Sequence, residues 1–226
     1  MAAIVAALIG LSWWFLINGG GLGDHSAMAM PGMAPPLPAL VLMWWLMMMA
    51  MMLPSAAPAI LLYARVRGTR GGDVAQTWIF AAGYLAIWLL FSLIAAVAQQ
   101  VLTGPSMALD SALAQGIVLV AAGIYQLTPL KAACLRQCRS PAHFISRHWR
   151  AGALGAARLG TLHGAYCVGC CWLLMAVLFV GGVMNFAWIA LLTALVAAEK
   201  LVPGGDVLGR AAGVGFIAWG IAKLAG

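Results

Sequence analysis

The chain has 226 residues, of which 65% are hydrophobic and 8% charged, and it carries a formal net charge of +7. A soluble domain has about 25% charged residues. So sparse a charge complement excludes a soluble globular fold, whose surface it could not cover, and makes a lipid bilayer the expected solvent for most of the exterior. The basic residues sit in short joints between apolar runs rather than in one patch, so the positive charge points to membrane orientation and not to nucleic acid.

A spanning helix needs roughly 20 mostly apolar residues, and about seven stretches approach that length. The first, about 2–18, begins MAAIVAALIGLSWWF; it has no basic leader, so it reads as a retained helix and not a cleaved signal. A joint rich in Gly, Pro and Met follows at 19–37, with His25, Met28, Met30 and Met33. The second span, about 38–64, holds MWWLMMMAMMLPSAAPAILLY and exits through Arg65, Arg67 and Arg70. The third, about 76–101, and the fourth, about 111–130, are joined without basic residues. A basic loop then runs over 131–159. The last three spans are expected at about 160–184, 186–199 and 206–224. The sixth is short, and Lys200 at its end is expected to snorkel to the interface.

Placing the N-terminus in the cytoplasm and alternating puts Arg65, Arg67, Arg70, Lys131, Arg136, Arg139, Arg147, Arg150, Arg158, Lys200 and Arg210 inside and leaves only Lys223 outside. The expected fold is therefore a single all-α membrane domain: a polytopic transmembrane helix bundle of about seven spans in a bacterial inner membrane. Its N-terminus is cytoplasmic and its C-terminus periplasmic, with the Met/His joint 19–37 outside and the basic loop 131–159 inside.

Four groups of residues could carry chemistry. In the second span Met43, Met47 and Met51 form one helical stripe and Met48 and Met52 the next. Pro54 and Pro58 share the first face. Each proline removes the amide that would bond four residues back, freeing the carbonyls of Ala50 and Pro54. In lipid those groups must face protein or a wet cavity. Thioethers are neutral, soft donors suited to Cu(I), although methionine also serves simply to fill gaps beside a kinked helix.

In the fifth span, HGAYCVGCCWLLM puts His163, Cys167, Cys170 and Cys171 within one face, with Met175 a turn further on. Gly160 and Gly164 share that face, which also allows a packing role in which cysteine is only a small residue beside a close helix neighbour. Residues four apart stand about 6 Å apart along a helix axis, so this helix alone cannot surround an ion. The remaining donors must come from elsewhere. The loop pair Cys134 and Cys138, with His143 and His148 beyond, matches no zinc module. It faces the reducing side, where a structural disulfide is not expected. The outer joint with His25 could capture a metal or serve as a plain linker.

The candidate metal ligands are thus Met47, Met48, Met51, Met52, Cys134, Cys138, His163, Cys167, Cys170, Cys171, Met175 and His25. Thioether and imidazole lie outside, thioether within, and thiol with imidazole toward the cytoplasm. That order suits copper as Cu(I) better than zinc.

The segments MMMAMMLPSAAPAILLY, GIYQLTPLKAACLRQCRSP, HGAYCVGCCWLLM and VMNFAWIALLTALVAAEKLVPGGDVLGR resemble the bacterial family described as predicted metal-binding integral membrane proteins, a domain of unknown function, over roughly 38–224. The resemblance implies an inner-membrane protein without assigning an activity. It also draws attention to Gln126, Pro129, Asn185, Glu199 and Lys200.

Three functions are open at this level. The first is inner-membrane soft-metal handling, in which Cu(I) is bound and relayed or delivered through Met and Cys/His ligands. The second is a thiol–disulfide or quinone-linked oxidoreductase using Cys167, Cys170 and Cys171. The third is a non-catalytic subunit or assembly factor for a copper enzyme, using small-residue faces at Gly160, Gly164, Gly209 and Gly213. Binding rather than catalysis is expected. The expected partners are the bilayer and a membrane or periplasmic protein, with a homo-oligomer as a further candidate.

Overall fold

The computed structural model describes residues 2–17, 36–103 and 107–225, and His25 with the rest of the Met/His joint 19–35 lies outside them. The described residues are helical almost throughout. In chain order the helices are α1 (Ala2–Ile17), α2 (Leu37–Thr69), α3 (Ala75–Leu102), α4 (Ala112–Gln126), α5 (Pro129–Arg139), α6 (Pro141–His148), α7 (Gly152–Ala176), α8 (Leu178–Gly181), α9 (Phe186–Leu201) and α10 (Gly205–Ala225).

Four segments are long and apolar enough to cross a membrane: Leu37–Thr69, Ala75–Leu102, Gly152–Gly181 and Gly205–Ala225. The pair α4 and α5, bent by 64°, makes a fifth if read as one broken span. Each expected span overlaps a helix, the fourth broken at Leu127–Thr128. However, α1 and α9 are only 16 residues each, short of the roughly 20 a crossing needs. The stretch 131–159, expected as a loop, is helical instead. Its start signals are local: Thr128 caps α5 by accepting from the Lys131 amide at 3.3 Å, and Pro129 and Pro141 open α5 and α6 at positions where a missing amide is harmless.

The centre of the fold is a sheaf in which α2 packs on α3, α3 on α7, and α5 on α7, with α1 and α9 against α2. α10 pairs with α4 to one side. The closest crossings are made by glycines. A Cβ at Gly160 would collide with the Phe80 carbonyl, and one at Gly83 would sit 2.8 Å from the Ala157 oxygen. Where α4 meets α10, a Cβ on Gly123 would lie 2.5 Å from the Gly213 oxygen. The small-residue faces are therefore used within the chain itself, Gly164 against Ile87 and Gly209 against Glu199 included.

The proline-freed carbonyl of Ala50 is met as its chemistry demands: the Trp13 indole of α1 donates to it at 3.0 Å. Other tryptophans within apolar runs do likewise. Trp44 donates to Gln99 Oε1 at 2.6 Å, Trp45 to the Leu85 carbonyl at 3.1 Å and Trp188 to the Val177 carbonyl at 3.0 Å. Indole thus fills volume while its N–H closes a hydrogen bond in an apolar interior.

The break between α4 and α5 is held by a buried polar knot. Lys131 pairs with Glu199 of α9 at 2.6 Å, Gln126 donates to the other Glu199 oxygen at 2.7 Å, and Lys131 also donates to the Gln126 side-chain oxygen. Arg139, at the far end of α5, donates to the Glu199 carbonyl at 3.2 Å and the Val202 carbonyl at 3.0 Å. Both charges of the ion pair are almost fully enclosed, at 3% and 2% side-chain exposure. Removing one partner strands the other.

Two outcomes follow for thermal unfolding in detergent. Glu199→Gln destabilises by about 3–5 kcal/mol, and the joint change Lys131→Met with Glu199→Leu recovers much of that loss. Gly160→Ala costs at least about 1–3 kcal/mol through overpacking, whereas Gly215→Ala, which meets nothing within 4 Å, leaves the transition in place.

Candidate metal centre

α7 presents Cys167, Cys170 and Cys171 on its buried face, each at most 2% exposed. Cys171 Sγ donates to the Cys167 carbonyl at 2.9 Å, and Cys170 Sγ donates to the same carbonyl at 3.1 Å. The three thiols are thereby drawn around one turn of helix. The sequence required further donors from other helices, and two helices supply them. From α2, Met52 brings its thioether sulfur to 3.9 Å from Cys171 Sγ. From α5, the half-buried Cys138 stands near Cys167 and Cys170, close enough to interact with both electrostatically. Cys134, one turn earlier on α5, packs against the bare backbone of Gly169, where a Cβ would stand 3.0 Å from its sulfur. All five cysteines are free thiols, three of them buried on α7 and two half-buried on α5.

Polar groups complete the surroundings. Tyr84 of α3 places its hydroxyl 3.2 Å from Cys167 Sγ and 3.5 Å from the Met52 carbonyl. Lys200 of α9 does not reach outward as expected for a snorkelling side chain. It is 5% exposed and turns into the bundle, with Nζ 3.0 Å from Cys167 Sγ, 3.3 Å from Ser55 Oγ and 3.9 Å from Met52 Sδ. The reason lies in α9 itself. Glu199 and Lys200 are neighbours about 100° apart on the helix, so when Glu199 faces the α4–α5 break, Lys200 must face α2 and α7. Tyr84, Ser55 and the inward Lys200 escaped the sequence reading. Only the resemblance singled out Lys200, and nothing in the local pattern said which way it points.

The other candidates make no hydrogen bond to these thiols among the described residues. Met47, Met48, Met51 and Met175 are fully buried in the core, but among the described residues Met52 is the methionine that reaches a thiol. His163, one turn before Cys167, is buried with its ring between Phe144 at 5.2 Å, Tyr84 at 5.7 Å and Phe80 at 6.1 Å. Its Nδ1 has no hydrogen-bond partner among the described residues. His143 is exposed, and His148 contacts the Phe144 carbonyl through Nδ1 at 3.0 Å. The loop histidines thus do not join Cys134 and Cys138.

Among the described residues no three His, Cys, Asp or Glu side chains stand as a preformed cage for a cation. The Cys170 and Cys171 thiols are held by hydrogen bonds to the Cys167 carbonyl, and Cys167 by Tyr84 and Lys200. The donor chemistry is nevertheless uniform: thiol and thioether sulfur, with no carboxylate turned toward it among the described residues, the nearby Glu199 being engaged by Lys131. Such a set favours a soft ion over hard, oxygen-seeking cations.

No curated protein and no solved structure matches the chain. A family model described as PpoB2, copper chaperone, matches residues 41–223. The matched region runs from α2 into α10 and takes in Met52, all five cysteines and Lys200, over most of the 226 residues. The chain belongs to this family of copper chaperones.

Proposed function

We propose that this protein is a bacterial inner-membrane copper chaperone that binds Cu(I) within the sulfur cluster of Met52, Cys138, Cys167, Cys170 and Cys171, through two of the thiols with Cys167 among them, and hands it to a protein partner. The observation that carries this reading is the approach of the Met52 sulfur of α2 to 3.9 Å from Cys171 of α7, with Cys167 and Cys170 on the same buried face and the half-buried Cys138 of α5 nearby. The family's description supports copper handling in general. The long apolar helices support a bilayer setting, and the one-sided distribution of Lys and Arg supports a cytoplasmic N-terminus.

The chemistry is ligand exchange. Copper enters and leaves as Cu(I), so no electron moves. Each thiol that binds gives up its proton to the surrounding water or buffer. Met52, a neutral thioether, is the weaker donor and the one an incoming ligand displaces most readily. A cluster held by hydrogen bonds rather than preformed around an ion closes when copper arrives and relaxes when it leaves, which suits a carrier better than a permanent cofactor site. Gly160, Gly164, Gly209 and Gly213 already serve internal crossings, so a partner docks elsewhere than on these faces.

Full-length protein purified anaerobically in detergent, without chelator, is expected to hold Cu(I) in stoichiometric amount. Replacing Cys167, Cys170 and Cys171 together by serine abolishes that copper, Met52→Leu weakens its binding, and His143→Ala leaves it unchanged. Wild-type protein that takes up no Cu(I), or a triple serine variant that keeps its full copper content, overturns the reading.

A further inference from the structure

The ammonium of Lys200 is the most unusual neighbour of the sulfur cluster. It has three N–H donors, and three heteroatoms lie around it: Cys167 Sγ at 3.0 Å, Ser55 Oγ at 3.3 Å and Met52 Sδ at 3.9 Å. None of these three carries a fixed negative charge. Among the described residues no carboxylate stands within ion-pair distance of Lys200, because the adjacent Glu199 is taken by Lys131 and Asp206 by Arg139. A buried cation without an anion is costly unless its surroundings supply the charge. The groups in place that can become anionic are the thiols.

Charge counting then distinguishes one class of ion from another. A monovalent ion held by two thiolates forms a unit of charge −1, which the Lys200 ammonium brings to zero. A divalent ion on the same two thiolates is already neutral, and with Lys200 the site is left at +1 in an apolar interior. We propose that Lys200 is the specificity-determining residue of the copper site: its fixed positive charge selects monovalent Cu(I) over divalent ions such as Zn(II) and Cd(II) on a bis-thiolate ligand set that includes Cys167. This inference rests on the Cu(I)-binding reading above and adds to it what discriminates among metals.

The size of the effect follows from electrostatics. A unit charge about 5 Å from the ion, at an effective dielectric constant near 20, shifts the preference between ions differing by one charge by roughly a hundredfold. The quantity to read is the ratio of Cu(I) to Cd(II) affinity. The two metals start from the same apo site, so that ratio does not depend on how many protons the empty cluster holds. A purely packing role for the lysine stem would lower both affinities together and leave the ratio alone.

The test uses full-length protein in detergent, with Cu(I) and Cd(II) affinities measured separately by competition against a chromophoric chelator of each metal. Lys200→Met is expected to lower the Cu(I)/Cd(II) ratio by roughly a hundredfold, and Lys200→Arg, which keeps the charge, to hold it within a few-fold of wild type. Lys200→Gln makes the same comparison with a side chain that can still hydrogen-bond to Ser55, and serves if the methionine variant folds poorly. A ratio unchanged in both neutral variants while wild type binds Cu(I) overturns the role of Lys200 and leaves the copper site standing. Wild type that binds no Cu(I) overturns both.

Discussion

In an interior built almost wholly of apolar side chains, every charge needs a counterpart and every polar backbone group a partner. The last turn of α9 shows how the fold meets that demand. Two adjacent residues there, one acidic and one basic, do not pair with each other. Glu199 turns to Lys131 and Gln126 at the break between α4 and α5, and Lys200 turns to Cys167, Ser55 and Met52. One short helix therefore ties the bent segment to the sulfur cluster. α5, which carries Cys134 and Cys138, is anchored at its start by the Lys131–Glu199 pair and at its end by Arg139 on the backbone of 199 and 202. The position of the Cys138 thiol is thus fixed by the same residue pair that aims Lys200.

The same demand gives several core aromatics a second task. α2 carries Pro54 and Pro58 inside one continuous helix, and each removes a backbone donor. The resulting orphan at Ala50 is closed by an indole from α1 rather than by a side-chain amide or hydroxyl. Tryptophan brings a donor on a large apolar plate, so the interior gains a hydrogen bond without gaining an exposed polar surface. Tyr84 works in a similar way beside the cysteines, with a ring packed near His163 and a hydroxyl reaching both Cys167 and Met52.

Much of this was legible in the sequence wherever a short-range rule applied. Apolar runs located the helices, helical spacing put Cys167, Cys170 and Cys171 on one face, and the geometry of a single helix required that further ligands come from others. The prolines announced that Ala50 needed a partner, though not that the partner would be Trp13. What escaped was orientation across helices. Nothing local said that Lys200 points inward, since an identical side chain at a helix end beside lipid would reach for water. The Cys134–Cys138 pair looked like a loop motif because its flanking charges masked the Thr128–Pro129 start signal. The methionine run looked like a uniform ligand stripe, and of its members Met52 is the one that accepts a hydrogen bond from a thiol among the described residues.

The Trp13–Ala50 hydrogen bond also bears on where the folded unit begins. The family match starts at residue 41, well after α1 has ended. Yet α1 packs along α2, contributes Val5 and Leu16 to the core and caps the carbonyl that Pro54 exposes. Cutting the gene at the boundary that kinship suggests would strip α2 of its cover and leave a naked carbonyl two residues before Met52. Kinship and packing set different limits here, and an expression plasmid has to keep α1.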